Sequence, residues 1–252
     1  MREYIKPSLL GKRILITRPA GQYADWAFWL ARAGADPILF PLIEISPIHD
    51  IEQELVIAEK LNKYTWVIFT SANAARYFSG TLAGRELKKS KIRVAAVGSK
   101  TAEFLKGLGL EVDFIPGAFT SVHLAENIPD IKGNSILVPR TNIAEDDLKE
   151  RLIHRGALVD ETIVYETKKV AGKQEALQKI VNEGLDVITF ASPSAVEAFC
   201  EMNIDRGHAK IACIGPVTAD KAVLLGLTPD IVAKEHTTEG LTLGIEKYYN
   251  KK

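Results

Sequence analysis

Short, wholly apolar runs alternate with stretches of about ten residues in which apolar positions return every three or four residues. ILI at 14–16, VIF at 67–69, VAAV at 94–97 and IACI at 211–214 are runs of the first kind, and VITF at 187–190 departs from it only at Thr189. Unbroken apolarity over so few residues marks strands covered on both faces, as in parallel sheets. The longer stretches have the spacing of helices with one buried face. The pattern predicts strands at 14–17, 66–69, 92–97, 112–115, 135–138, 186–190, 210–214 and 230–233. Helices are predicted at 23–33, 51–62, 73–80, 100–107, 121–128, 144–154, 173–183, 194–202, 217–225 and 238–249. Residues 1–13 read as a polar lead-in, and 37–46 and 158–167 as extended runs. Pro41 and Pro47 bar the first of these from a central place in a sheet, so it reads as an exposed connection. Strands alternating with helices imply parallel sheets covered on both faces, and right-handed crossovers make the fold a doubly wound α/β one.

The pattern occurs twice. VIFTSANAARYF at 67–78 returns as ITFASPSAVEAF at 188–199, with Phe, Ser, Ala and Phe on matching positions. VAAVGSKTA at 94–102 matches IACIGPVTA at 211–219, and ILITR at 14–18 matches ILVPR at 136–140. Three echoes in order at nearly one spacing read as an internal duplication. Two tandem domains and two domains that exchange their first segments share this element list, so periodicity leaves both open. The runs 37–46 and 158–167 occupy equivalent places and would bridge the domains in the exchanged form.

Composition narrows the function more than the fold. At 252 residues, with 46% hydrophobic and 25% charged residues, the chain suits two globular domains with real cores. Thirty-two basic residues balance 32 acidic ones, which leaves no electrostatic footprint for nucleic acid. No stretch has the pattern of a signal peptide or the length of a membrane span, so the expected place is the cytoplasm. Cys200 and Cys213, on a predicted helix and strand, read as small buried hydrophobes.

Ligands of open parallel sheets collect outside the carboxyl ends of the strands, where helix N-termini offer unpaired amides. Small or hydroxylated residues stand at nearly every such end: Thr17 with Arg18, Thr70 with Ser71, Gly98 and Ser99 with Thr101, Thr120 with Ser121, Ser192, Gly215 with Thr218, and Thr237 with Thr238. Capping accounts for any one of them; the set, at repeat-related positions, points to an anionic ligand. Single-glycine turns replace the spaced glycines that cradle dinucleotides or triphosphates, which disfavours a nucleotide-dependent transferase. The five histidines show no ligand spacing, and Ser71 and Ser192 lack a hydrolase elbow. Tyr165 stands where the first copy has Ile43, so one of two equivalent strands has gained a phenol. A phenol keeps its proton at neutral pH and can assist a departing hydroxyl, although strands favour tyrosine in any case.

ILITRPAGQ, FPLIEISP, FTSANA, VAAVGSKTAEFLKGLGL, LVPR, VYET, FASPSAVEAF, IACIGPVTA and EHTTEGL, in this order from Ile14 to Tyr248, together resemble the uroporphyrinogen-III synthase family. The resemblance implies a cofactor-independent, metal-free lyase that takes linear hydroxymethylbilane, expels its hydroxyl and closes the macrocycle with ring D inverted. It implies two flavodoxin-like domains joined by a two-stranded β linker, which selects the exchanged arrangement. Domain 1 is then 1–38 plus 167–252, domain 2 is 47–160, and 38–46 with 159–167 form the linker. The family's site lies in the cleft between the domains. Its tyrosine falls on Tyr165, its hydroxyl-bearing turns on Ser71, Thr101 and Thr237, and its equivalent strand ends on Arg18, Gly98, Ser192 and Gly215. The implied partner is the small-molecule bilane, handed over by hydroxymethylbilane synthase to a monomer, with no nucleic acid or membrane. Asn142 and Ile143 depart from the family's short polar turn near Arg140. The alternative from the residues alone is a two-lobed cytoplasmic small-anion binding protein without catalysis.

Overall fold

In the computed structural model, which describes residues 8–143 and 147–250, the chain divides into two compact units. One comprises 1–44 with 168–252, the other 45–167. Each is an α/β unit built on a largely parallel five-stranded sheet.

The first sheet contains β1 (Arg13–Ile16), β2 (Asp36–Leu39), β8 (Val187–Phe190), β9 (Lys210–Cys213) and β10 (Ile231–Val232), in the order β10-β9-β8-β1-β2. Its neighbours all pair in parallel. Helices α1 (Ala24–Arg32), α8 (Gln174–Asn182), α9 (Pro193–Glu201), α10 (Pro216–Leu224) and α11 (Thr238–Asn250) cover it. Two apolar layers result, one around Leu15, Ile188, Phe190 and Phe199, the other around Ile14, Ile16, Trp26 and Leu241. Leu9 is fully buried in the second layer, so the lead-in contributes an apolar anchor; residues 1–7 lie outside the described residues.

The second sheet contains β3 (Ile43–Pro47), β4 (Tyr64–Phe69), β5 (Arg93–Ala96), β6 (Ser135–Thr141) and β7 (Leu158–Lys169), in the order β3-β7-β6-β4-β5. Pairs β4/β5, β4/β6 and β6/β7 are parallel. Helices α2 (Ile51–Lys60), α3 (Ala72–Gly80), α4 (Leu82–Leu87), α5 (Ser99–Gly107), α6 (Ser121–Asn127) and α7 (Asp147–His154) accompany it.

Three expectations are corrected. Run 37–46 is two edge strands rather than an exposed connection: Pro37 sits in β2, where a missing N–H is tolerated, and Phe40 and Leu42 are buried. Residues 112–115 make only a bridge from Phe114 to Ala95. Helix α4, begun by Thr81, whose hydroxyl accepts from the Gly84 amide at 3.1 Å, follows α3 without a loop and so escaped a pattern that looks for separated elements. The predicted start of the helix at 144–154 falls at 144–146, outside the described residues.

Candidate active site

Most of the parallel strands end in a turn that opens a helix, so unpaired first-turn amides gather along the carboxyl edge of each sheet. In the first unit that edge holds Arg18 after β1, Ser192 after β8, Gly215 after β9 and Thr237 after β10. Ser192 caps α9, its Oγ accepting from the Ala195 amide at 3.3 Å. Thr237 Oγ1 accepts from the Gly240 amide at 2.8 Å. Gly215 is buried at the N-cap of α10, where no side chain caps the helix. The Arg18 guanidinium donates to Gln22 Oε1 at 3.2 Å. Burial lowers its pKa and the charge of Glu239 acts against that, so the group stays cationic at neutral pH.

In the second unit the edge holds Ser71, Gly98, Thr101 and Tyr165. Ser71 caps α3, accepting from the Ala74 amide at 3.0 Å. Gly98 is the N-cap of α5 and brings no capping side chain, whereas Thr101 is buried in the first turn of that helix. Tyr165 owes its position to a register shift between Arg140 and Thr141, which sets it opposite Thr141 on β6. Its hydroxyl lies 3.3 Å from Ser71 Oγ. Its ring is 6% exposed and stacks on Tyr77 with centroids 5.4 Å apart. Burial raises its pKa; the hydrogen bonds of Ser71 and Thr141 lower it and Tyr77 raises it, with a net shift upward. The phenol therefore holds its proton at neutral pH and can lend it.

Of the residues singled out from the sequence, the structure joins Tyr165 to Ser71 directly. Gly98 and Thr101 share their sheet edge; Arg18, Ser192, Gly215 and Thr237 share the edge of the other sheet. Arg140, the counterpart of Arg18, is buried in an ion pair with Glu161, which Lys149 also reaches at 3.1 Å. Four neighbours escaped the sequence reading: Thr141 and Tyr77 beside Tyr165, and Phe119 and His236. The last two lie against Gly98 and Gly215 respectively. A signal for them existed, because the spacing that aligns VGSKTA with IGPVTA also aligns Phe119-Thr120-Ser121 with His236-Thr237-Thr238.

The cysteines have inert environments. Burial pushes the Cys213 thiol up to about 12, and burial with the charge of Glu201 raises that of Cys200, so neither is a ready thiolate. Among the described residues, no three His, Cys, Asp or Glu side chains are placed to hold a metal ion. No helix among them is long and apolar enough to cross a membrane.

The family model described as uroporphyrinogen-III synthase HemD matches residues 25–242. The uroporphyrinogen-III synthase of Synechococcus elongatus is 32% identical over 255 residues, covering 95% of this chain and 96% of that protein. The porphyrin biosynthesis protein HemD of Ruminiclostridium josui is 31% identical over 246 residues, 94% of this chain; the chain spans only 49% of that longer relative. Among solved structures, a mutant uroporphyrinogen III synthase from the extremely thermophilic bacterium Thermus thermophilus superposes with a TM-score of 0.69 at 20% identity, covering 96% of this chain and all of that one. The corresponding Helicobacter pylori protein gives 0.64 at 16% identity, with 96% and 100% covered. At these identities the two structures speak for the fold alone.

Proposed function

The chain belongs to the uroporphyrinogen-III synthase family of cyclising lyases, and from that premise we propose that it converts hydroxymethylbilane to uroporphyrinogen III with inversion of ring D. The observation that carries the role of the site is the Tyr165–Ser71 hydroxyl pair, set 3.3 Å apart beside a capped helix N-terminus at the carboxyl edge of a parallel sheet. In this reading the C–O bond of the hydroxymethyl group breaks as the pyrrole nitrogen pushes electrons toward it, and the oxygen leaves as water with the Tyr165 proton. The substituted carbon of ring D attacks the resulting azafulvene cation and forms a spiro intermediate. The bond from that carbon to its original methylene bridge then breaks and re-forms at the free α-carbon of ring D, which loses its proton to restore the pyrrole and balances the one Tyr165 gave. Since the cation also closes unaided to the uninverted isomer, the protein's larger task is positioning.

The turns at Arg18, Ser192, Gly215 and Thr237 in one unit, and at Ser71, Gly98 and Thr101 in the other, hold the acetate and propionate groups. They do so through Arg18, hydroxyls and first-turn amides, which suits a protein of zero net charge binding a polyanion. The proposal includes a duplicated flavodoxin-like design with exchanged first segments, domains 1–38 plus 167–252 and 47–160, and a two-stranded linker from 38–46 and 159–167. It also includes a cytoplasmic monomer supplied by hydroxymethylbilane synthase. The relatives named above are synthases and a porphyrin biosynthesis protein, which leaves the non-catalytic anion-binding alternative without support.

The test is to supply hydroxymethylbilane and separate the product isomers by chromatography. The type III isomer should predominate, and a ratio equal to that of the unaided reaction overturns the assignment. Tyr165→Phe should slow turnover about 10- to 100-fold at saturating bilane. Unchanged turnover would remove Tyr165 from the mechanism.

A further inference from the structure

We infer that Phe119 and His236 are substrate-contacting residues at equivalent places in the two units, Phe119 taking the face of a pyrrole ring and His236 a carboxylate. The inference rests on the synthase reading above and adds two residues to it.

Their equivalence is geometric. Phe119 immediately precedes Thr120, the N-cap of α6, whose hydroxyl accepts from the His123 amide at 3.2 Å. His236 immediately precedes Thr237, whose hydroxyl accepts from the Gly240 amide at 2.8 Å. Each ring then lies against the glycine that opens the helix before it. A Cβ built on Gly98 would lie 3.5 Å from Phe119 Cβ, and one built on Gly215 only 2.9 Å from His236 Cδ2. The rings thus form a small shelf at the carboxyl edge of each sheet, beside the turns that carry the predicted binding residues.

Both shelves are open: Phe119 is 57% exposed and His236 is exposed as well. A lone exposed phenyl needs no explanation. A phenyl and an imidazole at one repeated position, each on a glycine turn at a binding edge, differ in what they can recognise. The phenyl face stacks on a flat electron-rich ring and offers a carboxylate nothing. The imidazole donates an N–H to a carboxylate in either tautomer. On the Phe119 side the nearby imidazole of His123 is engaged by Thr120 Oγ1 at 3.0 Å from its Nδ1. A bilane carries pyrrole faces and carboxylate arms along its whole length, so a phenyl shelf and an imidazole shelf would take different parts of it.

The experiment is steady-state kinetics with hydroxymethylbilane, isomer analysis and a thermal midpoint for each variant. His236→Phe should raise KM about 10-fold with kcat nearly unchanged, the scale of one lost hydrogen bond to a charged group. His236→Gln, which keeps a donor, should stay within about 3-fold of the parent, half a decade below that loss. Phe119→Ala should raise KM about 3- to 10-fold and increase the share of the uninverted isomer, while Phe119→Tyr preserves both. Unchanged KM in His236→Phe and Phe119→Ala overturns the inference, as does loss in His236→Gln equal to that in His236→Phe with a lowered midpoint. Parent protein that fails to favour the type III isomer refutes the synthase reading itself, which keeps the two failures apart.

Discussion

The two units are nearly the same inside and different at their carboxyl edges. In the first, Phe190 meets Phe199 edge-on with centroids 5.5 Å apart; in the second, Phe69 meets Phe78 at 5.7 Å. The Asp230 carboxylate accepts from the Ile211 amide at 2.9 Å, and Asp113 accepts from Val94 at 2.7 Å, each fixing the start of a strand from the loop that follows the next helix. Ser192 and Ser71 cap equivalent helices, and Gly215 and Gly98 open the next pair. At the edges the likeness ends. Tyr165 stands where the other unit has Ile43, Phe119 where it has His236, and Arg140 is buried against Glu161 whereas Arg18 donates to a neutral amide. Packing punishes change at interior positions, while residues at the edges are freer to vary, and the differences between the two units gather at those edges.

The contrast should be sharpest at the glycines. A Cβ on Gly240 would lie 2.2 Å from the Glu235 carbonyl oxygen, where backbone must move, whereas a Cβ on Gly98 finds ordinary contact at 3.5 Å. Gly240→Ala should therefore cost about 2–4 kcal/mol in urea unfolding, and Gly98→Ala close to nothing. Equal losses would show that the backbone around Gly240 gives way at no greater cost than the open site at Gly98. A smaller difference should separate the serines. Ser71→Ala and Ser192→Ala each remove a cap worth about 1 kcal/mol, but only Ser71 touches the Tyr165 hydroxyl. Ser71→Ala should lower kcat roughly 3- to 10-fold, the scale of one modest hydrogen bond, whereas Ser192→Ala should act on KM and leave kcat alone. A rate loss shared by both would mean that capping, rather than contact with the phenol, governs turnover.

The smallest effect concerns Cys213, whose counterpart by repeat spacing is Ala96. Burial raises its folded-state pKa from 9.0 to about 12. A raised folded-state pKa favours the neutral thiol in the fold, so that contribution is intact below pH about 9 and is lost as pH climbs from there toward 12. Cys213→Ala should flatten the alkaline decline of the urea midpoint as pH rises past about 9, at little cost near neutrality. An identical decline in the variant would place the alkaline weakness elsewhere.

Much of this was legible in the sequence because it is local. The apolar runs of β4 and β8 are fully covered strands, and the serine after each opens a helix as its spacing indicated. The α/β class followed from the same alternation. What escaped depends on distant residues. Leu9 and Phe40 look like parts of a lead-in and a connection until the helices and strands that bury them are in place. The slip between Arg140 and Thr141 that brings Tyr165 to Ser71, and the stacking of Tyr77 on its ring, join segments up to about a hundred residues apart, beyond the reach of periodicity. The repeat spacing aligns the turns at Gly98 and Gly215, but the rings resting on these glycines emerge only from three-dimensional packing.

The place of β1 in the first sheet has a consequence for how the chain is made. It lies between β2 and β8, so its apolar residues wait for a partner strand synthesised about 170 residues later, roughly 9 to 35 seconds at ordinary elongation rates. The strands of the second sheet, by contrast, all emerge between Ile43 and Lys169 and can assemble in the meantime. The ILI run of β1 thus stays uncovered along one edge while the second sheet assembles, which makes it a segment that a chaperone would find unattended for a long time.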